Sequence, residues 1–250
     1  KAAGGPGRAL RWSSPRAYRS GVEIDSPLPG TEPPRDCLRC PRLVALRREC
    51  QAEYPDWWNA PVPAFGDPDA WLAFAGLAPG KHGANRTGRP FTGDYAGDLL
   101  FATLAEFGLS KGHYAARIDD GLTLDGAIIV NSVKCLPPQN KPIPSEIAHC
   151  RPFFEGQMAA LPKVKVVIAL GRIAHDAALR AEGVRLAACP FAHGAVHALP
   201  SGRHLVDSYH CSRYNTNTGR LTPEMFADVF RTALALRDQT SERNSSTTAR

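Results

Sequence analysis

The sequence predicts an α/β fold: a three-layer α/β/α sandwich around a central four-stranded parallel sheet. Three observations carry this reading. The chain has 250 residues, 43% hydrophobic and 22% charged, which suits a soluble globular protein able to bury a sizeable core. Four short apolar runs recur along it, each ending at a glycine or a polar residue. Helical patterns with one apolar face lie between them. The runs are rich in Val, Ile, Ala and Leu and are continuous rather than alternating, as expected of strands covered on both faces.

The elements follow in order. Residues 1–34 are rich in Gly, Pro, Ser and Arg with little periodicity, and read as a basic, flexible or surface-draped arm. A single domain over 35–237 follows. Its strands are expected at Trp71–Ala75, Ala127–Val130, Val164–Leu170 and around Leu205–Val206. Leu99, Leu100, Thr103, Leu104 and Phe107 share one helical face, and Gly108 is suited to the C-terminal cap. A second helix runs from Ser145 through Cys150 and Phe154 to Met158, and a third, Ala-rich one covers 172–180. The last opens with Thr222 as N-cap and Pro223 in the first helical position, then carries Phe226, Val229, Phe230, Ala233 and Leu234 as its apolar stripe. Residues 238–250 are polar and read as a disordered tail.

The formal charge is +6, but it is unevenly placed. Residues 1–50 hold ten Lys/Arg against five Asp/Glu, whereas residues 51–250 hold twenty against nineteen. A global charge argument for nucleic acid is therefore weak, and any binding groove must rest on local clusters. No apolar run approaches the roughly 18 residues of a membrane helix, and no secretory leader pattern is visible. The chain reads as cytoplasmic, a compartment where disulfides are rare. Seven cysteines then call for metal, redox chemistry or core packing.

Cys37 and Cys40 form CLRC, Cys135 follows the second strand, and Cys150 lies in the next helix. Four thiolates so placed suit an iron–sulfur cluster or a structural zinc. On spacing alone, plain burial of Cys135 and Cys150 is an equally open reading. Cys50, Cys189 and Cys211 are expected to be bystanders.

The polar segments sit immediately after the strands, at the sheet edge where α/β folds bind ligands. Gly76–Asp94 reads GLAPGKHGANRTGRPFTGD, with glycines that allow close backbone approach and no GKS or GKT phosphate loop. Phe91 lies among Lys81, Arg86 and Arg89, suited to stacking on a base, although a core plug under a long loop is the plainer reading of Phe91 alone. Asn131 ends the second strand and could cap backbone or meet the edge of a base. His210 ends the fourth, and its loop is dense in donors for phosphate: Ser212, Arg213, Tyr214, Asn215, Arg220. His113 and His175 are expected to be structural.

GLAPGKHGANRTGRPFTGD, then VNSVKC, then SYHCSRYNTNTGR, with CLRC upstream, resembles the uracil-DNA glycosylase superfamily, specifically its iron–sulfur-containing fifth family of bacteria and archaea. The likeness runs from Cys37 to about Leu236. It implies a 4Fe–4S cluster, structural in role, on Cys37, Cys40, Cys135 and Cys150, and a monomeric enzyme that removes uracil, and bulkier or purine-like deaminated bases, from DNA. It implies that Phe91 stacks on the flipped base, with Gly76 and Ala78 beside it, and that His210 meets the base carbonyl. Asn131 would contact the base or hold the attacking water, with Asn85 and Asp94 as secondary candidates. Arg86, Arg89, Arg213, Tyr214, Asn215 and Arg220 would meet the DNA. Ala78 stands where most of the superfamily has a water-orienting Asp, Asn or Glu, so the usual general base is missing. Cys211 stands where relatives often have Pro, which puts that loop's wedge in doubt. A competing class is a nucleic-acid-binding module with the same pocket, a structural metal and little catalysis.

Overall fold

The structure, a computed structural model, describes residues 24–247, with side chains described through Gln239. In chain order the elements are α1 (Pro41–Glu53), β1 (Phe65–Gly66), β2 (Leu72–Gly76), α2 (Ala84–Thr87), α3 (Tyr95–Glu106), β3 (Ser110–Lys111), β4 (Thr123–Leu124), β5 (Ala127–Asn131), α4 (Pro144–Ala159), β6 (Val166–Leu170), α5 (Arg172–Ala181), β7 (Val196–Ala198), β8 (His204–Ser208), α6 (Arg213–Asn217) and α7 (Pro223–Thr247).

The main sheet has the order β1-β5-β2-β6-β8-β7. Its inner strands β5, β2, β6 and β8 are parallel, with Leu72 beside both Ala127 and Val166, and Val166 beside His204. The expectation of a four-stranded parallel sheet is corrected here: the sheet is six-stranded and mixed. Two-residue β1 and three-residue β7 add antiparallel edges to β5 and β8. They were illegible because so short a strand carries no periodicity; its pairing is decided by the neighbour whose edge it covers.

Alternation along the buried strands sorts the two layers. Leu72 and Phe74 of β2, Ile129 of β5 and Ile168 of β6 face α3 and α7, packing on Leu100, Phe101, Leu104, Phe226 and Phe230. Ala73, Ala75, Ile128 and Val167 face the other way, onto Phe154 and Met158 of α4 and Ala174 and Ala178 of α5. The small alanines on the second face let the helices there sit close. Each fully buried Leu or Phe contributes about 1.5–3 kcal/mol.

The caps read from the sequence form as expected. Thr222 Oγ1 accepts from Met225 N at 3.1 Å. Gly108, at φ +69°, closes α3, with Leu109 N bonding to Leu104 O at 2.8 Å. Residues 24–34 drape on the body, while the C-terminal end differs from expectation over its described part. Leu28 is buried in the core, and Glu32 Oε1 accepts from Ser26 Oγ and Ala64 N, both at 2.8 Å. Residues 1–23 lie outside the described residues. Instead of ending near 238, α7 continues to Thr247, because an amphipathic helix docked along its first turns propagates through neutral polar sequence. Among the described residues no helix is long and apolar enough to cross a membrane.

Candidate functional site: a base pocket beside a cysteine lobe

The carboxyl ends of the inner strands bring the loop residues together. Gly76 ends β2 directly beside Asn131, the end of β5. Ser132 N and Oγ both donate to Gly76 O, at 2.9 and 2.8 Å, and Val133 N donates to Leu77 O at 2.9 Å. The loops after β2 and β5 are thus stitched by backbone. A side chain on Gly76 would collide with Asn131 Oδ1 and press on the Phe91 ring, so glycine here makes the room in which those two groups meet. Asn131 is 4% exposed, and its Oδ1 is buried without a hydrogen-bond partner among the described residues. A buried amide oxygen is ordinarily hydrogen-bonded, so this one can still accept a bond from a water or another group.

Phe91 faces His210 across this space, ring centroids 5.9 Å apart and planes at 25°. Phe91 holds φ +55°, a left-handed conformation that costs free energy and persists only where the surroundings fix it. They do. Tyr114 Oη donates to Phe91 O at 3.3 Å and accepts from Gly93 N at 3.2 Å, and a side chain on Gly97 would collide with Phe91 O. His210 is positioned by Asn215 Nδ2 donating to its carbonyl at 2.8 Å, and it packs against Gly171 at the start of α5. Burial pushes its imidazole down to about 4, leaving a neutral ring at ordinary pH.

Asp94 is the N-cap of α3, its Oδ1 accepting from Gly97 N at 3.1 Å, while the carboxyl borders Gly80 and Gly83. Burial raises its pKa. Asn85, by contrast, spends its amide on Asn59 Oδ1 at 2.9 Å, and Asn59 donates to the carbonyls of Cys50 and Tyr54. Asn85 therefore fastens the Gly76–Asp94 loop to the end of α1. Ala78 offers only a methyl, packed against the group formed by Leu43, Val133 and Cys150.

The basic residues divide. Arg213, Tyr214 and Arg220 are exposed, with Arg213 over the Tyr95 ring at 5.2 Å and Arg220 over Tyr209 at 4.4 Å. Lys81 pairs with Glu53 at 3.3 Å. Arg86 is half-buried, with its Nε buried and unpartnered among the described residues. The DNA-facing expectation for Arg89 is corrected: it is 2% exposed and bidentate to Asp120 at 2.8 Å, with Nε donating to Thr92 Oγ1 at 2.7 Å. The rings of Phe65, Phe101 and Tyr114 surround its guanidinium. Buried arginine needs such a carboxylate, and Asp120, in a loop far along the sequence, was not visible as its partner. The pair braces the Phe91 loop from beneath.

The second half of the site is the cysteine lobe. Cys37, Cys40, Cys135 and Cys150 line one cavity with Leu43, Lys134, His149 and Phe153. All four are free thiols. Burial, then the nearby Cys150, pushes the Cys40 thiol up to about 11 and that of Cys135 up to about 12. Arg42 ties α1 to α4 through both oxygens of Glu146, each at 2.7 Å. Arg47 Nη2 donates to Cys37 O at 2.9 Å, with Nη1 4.0 Å from Cys135 Sγ. Lys134, unnoticed in the sequence although it lies inside NSVKC, is 1% exposed. It donates to Asn131 O at 2.7 Å and to Gln157 Oε1 of α4, and its backbone N donates to Cys150 Sγ at 3.4 Å. Burial pushes its ammonium down to about 8. One residue thus joins pocket and lobe.

The comparisons with known proteins agree with this geometry. Residues 63–234 match the uracil DNA glycosylase superfamily. The chain is 50% identical over 205 residues to the type-5 uracil-DNA glycosylase of Thermus thermophilus, covering 80% of this chain and 93% of that protein. It is 42% identical to the type-5 uracil-DNA glycosylase of Pyrobaculum aerophilum, over 80% of this chain and 88% of that one, and 41% identical to that of Mycobacterium bovis, over 80% and 78%. The gathering of Gly76, Phe91, Asn131 and His210 at the strand ends, a cysteine lobe beside it and likeness over most of the chain converge: this protein belongs to the uracil DNA glycosylase superfamily.

Proposed function

We propose that this protein hydrolyses the N-glycosidic bond of uracil, and of other deaminated bases, in DNA, leaving an abasic site. The observation that carries the reading is the set Gly76, Phe91, Asn131 and His210: a ring to stack on, an open amide to read a base edge and a neutral imidazole, all at one strand edge. The target base leaves the duplex to enter it, at a cost of a few kcal/mol that is least for a mismatched pair.

The bond breaks with negative charge growing on the departing base. A neutral His210 donates a hydrogen bond to the base oxygen, a contact worth about 3 kcal/mol in such sites. The sugar becomes cation-like and needs a placed water more than a deprotonated one. Asn131 and Asp94 border the pocket and hold that water, so Ala78 is tolerated where a carboxylate is usual. Asn85 supports from beneath through Asn59. No Schiff base forms: Lys134, the lysine nearest the pocket, is enclosed and already donates to Asn131 O and Gln157. Arg213, Tyr214 and Arg220 meet the DNA from the rim, with Arg86 behind them, while Asn215 holds the loop.

The four cysteines fit a 4Fe–4S cluster. A single zinc at about 2.3 Å from each sulfur would bring the sulfurs within about 4 Å of one another. Among the described residues no three of these sulfurs lie within 4.8 Å of one another, which speaks against a single zinc and leaves the cluster as the better fit. When bound, the cluster supplies a covalent crosslink of α1, the loop after β5 and α4, and it serves no step of the reaction. Iron and sulfide analysis of aerobically purified protein should find a yellow-brown 4Fe–4S species; a colourless zinc protein would overturn the assignment.

The activity is tested by incubating the protein with uracil-containing DNA and treating the product with alkali. Strand breaks only after alkali support monofunctional excision. Breaks without alkali would show a lyase, and none at all would leave a binding module.

A further inference from the structure

A buried cluster outside the pocket has no role in the reaction as described. Asp207, in β8, is fully enclosed. Its Oδ1 lies 2.7 Å from His175 Nδ1, of α5, and its Oδ2 lies 3.1 Å from His197 Nε2, of β7, and 3.3 Å from Ala192 N. His175 is 1% exposed, and its other nitrogen, Nε2, lies 2.9 Å from Cys189 O.

A backbone carbonyl only accepts, so His175 Nε2 carries hydrogen. The short Nδ1 to Oδ1 contact also needs a proton between the two atoms, since two lone pairs would repel at that distance. His175 is thus held at both ring nitrogens, by Asp207 on one side and Cys189 O on the other, and His197 braces the far carboxyl oxygen. The remaining neighbours are consistent with this. The Phe191 ring edge meets His175 at 5.5 Å, Arg172 lies over that ring at 5.3 Å, and His193 is turned to Tyr209.

The cluster is joined to the pocket. Gly194 N donates to Asp207 O at 2.8 Å, and Asp207 N donates to Ala195 O at 2.9 Å. Two residues on, Tyr209 N donates to His193 Nδ1 at 3.1 Å, with the rings stacked at 5.0 Å. Gly171, four residues before His175, donates its N to Ser208 O at 2.8 Å and packs against His210. The next residue after Tyr209 is His210 itself.

We propose that His175, Asp207 and His197 form a positioning clamp for His210: a buried, hydrogen-bonded histidine–aspartate pair, braced by a second histidine, that locks α5, β7 and the 189–197 segment to the end of β8 and so sets the His210 ring opposite Phe91. The proposal rests on the excision reading, in which His210 donates to the departing base.

The test uses the intact holoprotein. Its histidine ring spectrum, by nitrogen–proton correlation, should show both His175 ring nitrogens held in hydrogen bonds. His197→Gln, which spares the fully enclosed pair, and Asp207→Asn should both shift the His210 ring resonance. They should lower the single-turnover excision rate by on the order of tenfold to a hundredfold, as small misplacements do, with affinity for abasic-site DNA within about twofold of wild type on the same reasoning. Asp207→Glu should recover part of the rate. A His175 ring lacking a hydrogen bond at either nitrogen, a stoichiometric zinc on these nitrogens, or an unmoved His210 resonance in His197→Gln would each overturn the clamp. Should Asp207→Asn fail to fold, His197→Gln decides alone. Should wild-type protein excise nothing, the excision reading falls, while the ring spectrum and the His210 resonance still decide the clamp.

Discussion

The base pocket and the cysteine lobe share one loop, with Asn131 at its start and Cys135 close behind, yet they are built on opposite principles. The pocket is preorganised by protein alone. Backbone bonds join Gly76 to Ser132, Tyr114 pins Phe91 in a costly conformation, and Asn215 holds the His210 carbonyl. Among the described residues Asn131 Oδ1 is buried there without a hydrogen-bond partner. The lobe is the reverse: four thiols are gathered, and burial first, then neighbouring cysteines, makes those of Cys40 and Cys135 weaker acids. Groups arranged that way gain their stability from what they bind, because ligation deprotonates them and converts binding free energy into folding free energy. The difference teaches that rate should reside in the pocket and stability in the lobe.

That comparison breaks or sharpens on five measurements. The largest effect is expected from His210→Ala, which should cut single-turnover excision by about 10²–10³ with an unchanged melting midpoint. If stability falls instead, the pocket is not preorganised. Gly76→Ala comes next, since its new methyl collides with Asn131 Oδ1 and displaces Phe91; excision should fall by about a hundredfold with DNA affinity kept. Cys135→Ser is the mirror case. It should lose iron and lower the melting midpoint clearly, and whatever protein stays folded should lose less rate than either pocket variant.

The pH profile is a subtler test. The His210 imidazole is held near 4 rather than 6.5, so the rate should carry no inflection around pH 6.5. Any loss tied to its neutral form comes as pH falls through about 4. The unfolded chain takes up this proton at higher pH than the folded one does, so stability should decline as pH drops below about 6.5. An inflection at 6.5 in single-turnover rates would show an ordinary, solvated histidine. The smallest effect is assigned to Arg220→Ala, an exposed rim residue. It should weaken DNA binding and reduce the salt slope by about one, leaving the rate of bound substrate unchanged.

Much of the fold was legible before any coordinates. Continuous apolar runs announced the four inner strands, and Thr222 and Gly108 announced their caps, because each of these signals is local. The edge strands β1 and β7 were not legible, since two or three residues carry no period. Arg89 misled for a related reason. Its charge and place in the motif suggested a DNA contact, while the residue that claims it, Asp120, is brought near only by the chain's return through α3 and β3. His175, expected to be structural, is indeed enclosed, but its partner Asp207 sits in what reads as an ordinary apolar strand.

The sequence by itself determined the layered α/β class and the order of the motifs on the strand ends. Those features follow from spacing and periodicity, which the chain carries along its length. Only the tertiary structure decided which polar residues face outward and which are spent inside. Asn131 keeps a free oxygen, Asn85 gives its amide to Asn59, Arg89 is buried under Phe91, and Lys134 ties the pocket to the lobe. The reason is physical: a buried polar group must find its partner across space, and the partner's place in the sequence leaves no local trace.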